Sequence, residues 1–505
     1  MPLLYIPVWQ RTAHFGVICM KSGVFRLSAA AMSAVVYLAG GLNVSEAGQR
    51  NRDDDTPRAV TNFNRPPSQQ PAPAATDEPS TRGAAPSFGA LFNFDSKGSR
   101  TSYSDRGATS AGSDTGSAAE LSARTKVFGL ERSVAPILNS RSEAALQAAV
   151  TEYEAIARQG GWGQVLVNKT VRKGAKGRAV EAIRIRLAIE GYLPRTAAAG
   201  QEFDSALEQA VASFQENYGL PITGRVDAAT AKAMSVPVTA RLETMRANLI
   251  RLPEYSKDLP KRYVTVNIPA AKLEAVDGGR VVSQHAVIVG KPERPSPIVA
   301  SEVSEINFNP YWHAPKSIVA KDIVPEVRKY GVRKLKELQI MVLEGDYQGP
   351  EVDPSTIDWN ADPESIAERY HFRQEPGGIN AMASVKINFK NKFSVYMHDT
   401  PTKQLFNEGA RYFSSGCVRV EDVQQLTSWI LQGQDGWNLR QVQGIAKSEE
   451  RLDVPLQEKV GVRWVYLTAW AGPDGMVRFR DDIYGLDGTG FITGQPIGIP
   501  EEKAG

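Results

Sequence analysis

The residues between 395 and 422 bring a thiol, an imidazole and a guanidinium close together along the chain. His398 ends a run with strand character, and the string Ser-Ser-Gly-Cys-Val-Arg follows, ending at Arg419. Acyl transfer by a cysteine requires its thiolate, and a free thiol with a pKa of about 8.5 is mostly protonated at neutral pH. A nearby imidazole can take that proton, and the imidazolium then stabilises the thiolate. The pattern indicates covalent acyl transfer, with Cys417 as the nucleophile and His398 as the general base.

Residues beside the thiol could assist this chemistry. Gly416 lets the backbone approach a substrate carbonyl with no side chain in the way. The backbone N–H of Cys417, with that of Gly416 or Ser415, could hold the negative oxygen of a tetrahedral intermediate. Arg419 can bind a carboxylate through two hydrogen bonds. Further site candidates, on weaker grounds, are Tyr396, Asn309, Tyr311 and Trp312.

Each of these residues also has a purely structural interpretation. A single cysteine is often a small buried apolar residue, and a single histidine is often a satisfied structural side chain. Arg419 could pair with Glu421 or Asp422 in its own loop. Tyr311 and Trp312 are equally compatible with core packing. The spacing together with the Ser-Ser-Gly-Cys-Val-Arg string favours catalysis over these separate alternatives.

The composition is that of a soluble protein with several domains. The 505 residues are 42% hydrophobic and 23% charged, with a net charge of +3, which is too balanced to predict a nucleic-acid partner. The two cysteines are Cys19, in a targeting segment, and Cys417, so the exported chain is expected to keep one thiol. Neither a metal site nor a cofactor is predicted, because no ligand-type pair stands at metal-binding spacing among that thiol and the remaining histidines, His285, His313, His371 and His398.

The N-terminal part of the chain predicts export. Lys21 and Arg26 precede an apolar run at 27–42, and small residues follow it, as in a signal peptide. We place the signal region at 1–47, with Met20 as an alternative start that gives a signal peptide of more usual length. If the signal is not cleaved, it would tether the protein to the membrane.

Changes in composition divide the rest of the chain into segments. Residues 48–125 are rich in Ser, Ala, Pro, Gly and Asp and contain too few apolar residues to fold, which predicts a disordered linker. Residues 169–236 predict three helices, the second capped by Asp204 or Ser205 and the third by Asp227. Strand patterns begin at residue 263 and are interrupted at 314–375 by helical and irregular sequence, which we interpret as a lid-like insertion. The other predicted segments are 126–168 (helical scaffold), 237–262 (helical connector), 263–440 (catalytic domain) and 441–505 (β extension and tail).

Two hairpins are predicted within the β region. The first joins strands at 385–389 and 393–397 through a turn at Asn391 and Lys392. The second joins strands at 463–470 and 476–479 through Pro-Asp-Gly. The first hairpin delivers His398 to the end of a strand.

The stretch around the thiol resembles the signature of the YkuD-type L,D-transpeptidases, a histidine followed after about fifteen residues by Ser/Thr-His-Gly-Cys-x-Arg/Asn. The strings HDTP, VNIPAAKLEAV, VGKPERPSPI and INFNPYWHAPKSIVAKDI resemble the long, periplasmic YcbB-like branch. Residues 169–236 resemble a three-helix peptidoglycan-binding domain, with a plain helical spacer as the alternative. One departure is Ser415, which stands where many family members have histidine; it could supply a hydroxyl or only its backbone N–H.

This resemblance implies an α+β multidomain protein. A mainly-β YkuD-type catalytic domain with a helical insertion would follow a small three-helix peptidoglycan-binding-like domain and a disordered N-terminal region. The resemblance also implies Cys417 as the nucleophile, His398 as the general base, and Gly416 with Cys417 as the oxyanion hole. The implied partners are peptidoglycan stem peptides: a tetrapeptide donor and a diaminopimelate acceptor. We expect a monomer in the periplasm of a Gram-negative envelope, whose thiol carbapenems acylate.

The expected reaction forms 3→3 peptidoglycan crosslinks through a Cys417 thioester, with release of D-Ala. A close alternative keeps the thioester but uses water, a protein or a D-amino acid as the acceptor. An alternative of another class is a non-catalytic scaffold that binds the wall, suggested by the linker, the binding module and the serine at 415.

Overall fold

The protein is represented by a computed structural model that describes residues 135–488. The predicted signal region at 1–47 and linker at 48–125 lie outside the described residues, as do the start of the predicted scaffold segment and the end of the tail. Within residues 135–488, no helix is both long and apolar enough to cross a membrane.

Five helices form the N-terminal part of the described chain. Their bounds are α1 (Ser142–Arg158), α2 (Arg178–Ile189), α3 (Ser205–Asn217), α4 (Ala228–Ser235) and α5 (Val238–Tyr255), with a 3₁₀ turn at Arg195–Ala197. Of the two candidate caps of α3, Asp204 is the one used, and it accepts a hydrogen bond from the backbone N–H of Leu207. Asp227 caps α4 as predicted and accepts a hydrogen bond from the N–H of Thr230. These side chains satisfy N–H groups that have no partner within the helix.

A buried ion pair joins the first three helices. The side chains of Arg186 in α2 and Glu190, directly after α2, are each 1% exposed and lie 2.7 Å apart. The Glu190 carboxylate also accepts hydrogen bonds from the hydroxyls of Tyr153 in α1 and Tyr218, just after α3, at 2.8 and 2.6 Å. The Arg186 guanidinium lies 3.6 Å above the ring of Trp162. Because buried charges are costly unless paired, this network fixes α1 against the three-helix module.

A ten-stranded sheet forms the centre of the following domain. Its strands are β1 (Arg262–Asn267), β2 (Lys272–Asp277), β3 (Arg280–Gly290), β4 (Val299–Phe308), β8 (Val385–Phe389), β9 (Met397–His398), β10 (Tyr412–Ser414), β11 (Val418–Val420), β12 (Leu452–Pro455) and β13 (Gly461–Val465). The long strand β3 pairs with β2 along one part and with β11 and β10 along the other. The path β3-β11-β9-β8-β4-β13-β1-β2 therefore closes on β3.

The segment between β4 and β8 has its own core. It contains β5 (Trp312–His313), β6 (Ile340–Glu344) and β7 (Tyr370–Gln374) in a separate sheet, ordered β5-β7-β6. Its helices are α6 (Lys316–Ile318), a π-helical turn (Val319–Ile323), α7 (Val324–Tyr330), α8 (Arg333–Glu337), a 3₁₀ turn (Pro354–Thr356) and α9 (Pro363–Arg369). Sixteen buried apolar residues, among them Val324 and Phe372, form a cluster separate from the main core. We call residues 312–374 the insertion.

The remaining elements lie between residue 403 and the C-terminal end of the described chain. They are a 3₁₀ turn (Lys403–Asn407), α10 (Val423–Ile430), α11 (Leu439–Ser448), β14 (Ala469–Ala471) and β15 (Val477–Phe479). The predicted second hairpin is present as β14 and β15, which pair antiparallel. Its predicted first strand at 463–470 is wrong in extent, because β13 ends at Val465 and β14 begins at Ala469. The predicted strand at 393–397 is wrong in extent: only Met397 and His398 form a strand there, because Ser394 adopts a left-handed backbone with φ of 56°. The predicted fold class, a mainly-β domain after a helical module, is confirmed for the described residues.

Candidate active site

Three adjacent strands bring the predicted site residues to one face of the sheet. β9 and β11 run parallel, with Arg419 opposite His398. β8 runs antiparallel to β9 and places Lys386 opposite the same histidine. Since side chains alternate along a strand, the intervening residues Met397 and Val418 point into the core. The side chains of Lys386, His398 and Arg419 therefore share the opposite face.

Cys417 immediately precedes β11 and lies beside Tyr396. It is partly exposed and forms no disulfide. Burial raises the pKa of the Cys417 thiol, and hydrogen bonds from the Tyr396 backbone and hydroxyl, with the charges of Lys386 and Arg419, act in the opposite direction. Because burial dominates, the resting sulfur is protonated at neutral pH.

His398 is held in one orientation and one tautomer. Its Nδ1 lies 2.6 Å from the carbonyl oxygen of Asp399. A carbonyl only accepts hydrogen bonds, so Nδ1 carries the proton and Nε2 has a free lone pair. Arg419 lies opposite His398 in the parallel pair, so Cys417, two residues earlier, lies on the same face and diagonal to the histidine. Nε2 is therefore the nitrogen that is free to accept a proton on this face.

The imidazole is neutral at rest. Burial, and then the charge of Arg419, lower the pKa of His398 to about 3; Lys386 acts in the same direction. Together with the raised pKa of the Cys417 thiol, this describes a neutral thiol–imidazole pair. In such a pair the proton moves to the imidazole as the sulfur attacks.

Two cations beside the thiol have no carboxylate partner among residues 135–488. Arg419 donates to the hydroxyl of Thr402 at 3.2 Å, and its buried Nε has no hydrogen-bond partner. Burial lowers the pKa of Arg419 to about 10. Lys386 is half-buried, with its ammonium 4.5 Å above the ring of Tyr396, and burial lowers its pKa. Unbalanced positive charge in a half-buried site favours an anionic ligand.

Lys386 was missed by the sequence analysis. It is one lysine in the alternating run of β8, and its local sequence carries no catalytic signal. Only the pairing of β8 with β9 places it opposite His398.

The loop from Ser414 to Cys417 is held in a tight turn. Gly416 has a φ of 113°, a backbone conformation that residues other than glycine rarely adopt. The Ser414 hydroxyl donates to the carbonyl of Cys417 at 2.5 Å and accepts the N–H of Gly416 at 3.2 Å. The N–H of Gly416 is thereby engaged, whereas the N–H groups of Cys417 and Ser415 meet no acceptor in the described part of the chain. The best-placed oxyanion donor is therefore Cys417 itself.

The other predicted site residues occupy different positions. Ser415 is exposed, and its hydroxyl accepts a hydrogen bond from Arg294 at 3.0 Å. Trp312 is 4% exposed within the core of the insertion. The amide of Asn309, also 4% exposed, donates to two backbone carbonyls at the end of α11. Tyr311 is partly exposed and lies between two arginines, Arg373 and Arg451. Packing accounts for Trp312 and Asn309 in this arrangement.

The insertion borders the site on two sides. Tyr396, which hydrogen-bonds the thiol, packs against the core of the insertion. On the other side, Asp322 of the insertion forms an ion pair with Arg294, which also donates to Ser415. The insertion is therefore linked to Cys417 through Tyr396 and to Ser415 through Arg294.

Comparison with protein families identifies two segments. Residues 261–443 match the YkuD family, described as an L,D-transpeptidase catalytic domain. Residues 176–234 match a family described as "Putative peptidoglycan binding domain". The first match contains the insertion and strands β1 to β11, but not β12 and β13 of the closed sheet. The second match corresponds to helices α2 to α4.

Similar proteins carry related names. A Haemophilus influenzae protein named "Putative L,D-transpeptidase" is 33% identical over 251 residues, which are 50% of this chain and 48% of that protein. The chain thus spans about half the length of this relative. A solved L,D-transpeptidase from Xylanimonas cellulosilytica is 15% identical, with 59% of this chain and 99% of that one covered, at a TM-score of 0.19. One from Stackebrandtia nassauensis is 12% identical, with 60% and 96% covered, at a TM-score of 0.21.

Proposed function

Because the chain contains a YkuD-type L,D-transpeptidase catalytic domain beside a peptidoglycan-binding domain, we propose that it forms 3→3 crosslinks between peptidoglycan stem peptides through a Cys417 thioester. The observation that carries the proposal is the placement of Cys417 and His398. His398 in β9 and Cys417, just before the neighbouring β11, lie on one face of the sheet, and Nε2 of the imidazole has a free lone pair.

The first half-reaction acylates the enzyme. As the Cys417 sulfur attacks the carbonyl carbon of the third stem residue, its proton passes to Nε2 of His398. The carbonyl oxygen becomes negative and accepts the backbone N–H of Cys417. The bond to the terminal D-Ala then breaks, and the leaving amine takes the proton from His398. The product is a thioester and free D-Ala.

The second half-reaction transfers the acyl group. The side-chain amine of diaminopimelate on a neighbouring stem attacks the thioester carbonyl. His398 removes a proton from the amine and returns it to the departing sulfur. A new amide bond joins the two stems, and the thiol is restored.

The cations beside the thiol connect donor binding to catalysis. A stem-peptide carboxylate near Arg419 and Lys386 would offset the charges that lower the pKa of His398. The imidazole would then become a stronger base when the anionic donor is bound. In the free enzyme, without that carboxylate, the imidazole remains neutral and weakly basic.

The insertion serves in this proposal as a lid that excludes water from the thioester. Its contacts with Tyr396 and, through Arg294, with Ser415 support this assignment. Exclusion of water favours the amine over hydrolysis. We further propose export to the periplasm, on the basis of the targeting pattern within residues 1–47.

The decisive experiment incubates the purified protein with a disaccharide tetrapeptide and identifies the products by mass spectrometry. We expect dimers linked 3→3, released D-Ala, and a carbapenem adduct mapped to Cys417. Cys417→Ala should lose all of these, and His398→Gln should slow acylation by about 10²–10⁴-fold. Crosslinking by Cys417→Ala would refute the mechanism. Tripeptides alone would identify a carboxypeptidase, and folded protein with no adduct would indicate a wall-binding scaffold.

A further inference from the structure

The loop after β3, residues 291–297, is hydrogen-bonded to the loop that carries the nucleophile, residues 414–417. The N–H of Lys291 donates to the carbonyl of Ser414 at 3.0 Å. Gly290 allows the tight return of this loop, since a Cβ there would lie 2.3 Å from the carbonyl oxygen of Arg294. The Tyr484 hydroxyl fixes both ends, donating to the carbonyl of Gly290 at 2.6 Å and accepting the N–H of Ser296 at 3.1 Å.

Ser296 is the contact point between the two loops. Its side chain is fully buried, at 0% exposure. Its hydroxyl accepts the N–H of Gly290 at 2.9 Å and donates to the carbonyl oxygen of Gly416 at 2.8 Å. Both hydrogen-bonding functions of the hydroxyl are thus used, and its orientation is fixed.

The hydrogen bond to Gly416 determines where the next N–H points. In a planar trans peptide the C=O and the N–H point in opposite directions. Because the Gly416 carbonyl points to Ser296, the N–H of Cys417 points away from the loop 291–297. That N–H donates to no group among residues 135–488, so it remains available to a substrate oxygen.

Glycine at position 416 makes this peptide easy to rotate. A residue with φ of 113° and no Cβ can leave that conformation at low cost, because glycine populates both signs of φ readily. If the peptide between Gly416 and Cys417 flipped, its carbonyl would face the substrate and repel a developing oxyanion. The direction of this peptide therefore depends on an external hydrogen bond.

We propose that Ser296 is a positioning residue for acyl transfer: its hydroxyl holds the Gly416–Cys417 peptide so that the Cys417 N–H faces the oxyanion. The inference rests on the proposed Cys417 acyl transfer and adds a residue 121 positions earlier in the chain. Loss of one oxyanion donor typically lowers acyl-transfer rates by about 10²–10³-fold. Since the peptide in Ser296→Ala still samples the correct orientation, we expect acylation to slow by about 10–100-fold.

The test compares two reactions of the same sulfur in the full chain. Acylation by a carbapenem passes through a tetrahedral oxyanion. Alkylation by iodoacetamide, in which the thiolate displaces iodide and forms a thioether, generates no oxyanion. Both rates are measured by intact mass for the wild type, Ser296→Ala and Ser296→Thr, with peptide mapping to Cys417. Ser301→Ala is the matched control, since its hydroxyl also donates to a backbone carbonyl, that of Lys390 at 2.6 Å.

We expect Ser296→Ala to lose acylation rate while its alkylation rate stays near that of Ser301→Ala. Ser296→Thr, which keeps the hydroxyl, should recover most of the acylation rate. Equal acylation by Ser296→Ala and the wild type would overturn the inference. So would an equal loss in both reactions, which would mean that the loop has only lost its structure. A wild type that is alkylated but never acylated would contradict the proposed function itself, and this role of Ser296 with it.

Discussion

Breaking the ion pair between Arg294 and Asp322 is expected to loosen the insertion from the nucleophile loop. Nη2 of Arg294 donates to Oδ1 of Asp322 at 3.0 Å, and Nη1 donates to the other carboxylate oxygen. The side chains are only 19% and 14% exposed, so water screens the pair weakly. Each charge-assisted hydrogen bond contributes about 1.5–3 kcal/mol, and the desolvation of both ions offsets much of the sum. We expect a coupling energy of about 2 kcal/mol.

The assay is a double-mutant cycle with Arg294→Ala and Asp322→Ala, in which urea denaturation gives the free energy of unfolding. The same variants are tested for the ratio of tripeptide to 3→3 dimer. We expect the ratio to rise in both single variants, because a loosened lid admits water to the thioester. The control cycle removes Lys316 and Glu368, a pair in the insertion that is 52% and 67% exposed, for which we expect less than about 1 kcal/mol. A coupling energy for Arg294 and Asp322 no larger than the control, with unchanged products, would refute the reasoning.

Three further outcomes are expected. Lys386→Met should shift the pH profile of Cys417 alkylation to higher pH and slow the reaction at pH 8, because the Lys386 charge lowers the pKa of that thiol. The control variant Lys390→Met, at an exposed lysine, should leave the profile unchanged. Equal profiles for both variants would contradict this role of Lys386. Glu190→Ala should lower the free energy of unfolding by about 3–5 kcal/mol, since it leaves a buried guanidinium unpaired; a loss below about 1 kcal/mol in urea denaturation would argue against the network. Asp227→Ala should cost about 1 kcal/mol by the same measurement, through loss of the cap of α4, and no change would mean that the cap contributes nothing to stability.

Local sequence signals predicted the elements that carry the candidate site. The caps Asp204 and Asp227 begin helices as predicted, and the strand at 385–389 matches β8. The prediction of a strand at 393–397 was wrong because alternation of apolar and polar residues cannot reveal a left-handed backbone at a residue such as Ser394. These signals act over a few residues, so a short stretch of sequence contains them completely.

The reactive groups can be read from the amino-acid sequence alone: a thiol, an imidazole at suitable spacing and a glycine beside the thiol. The groups that surround them follow from the fold. Lys386 stands opposite His398 because β8 pairs with β9, and Ser296 reaches Gly416 across 120 residues because β3 lies beside β10 and β11. Such neighbours depend on strand order and register, and a shift of one residue would turn each side chain to the other face. The reactive groups lie close together in the sequence, whereas the residues that set their charge environment and orientation come from strands distant in sequence.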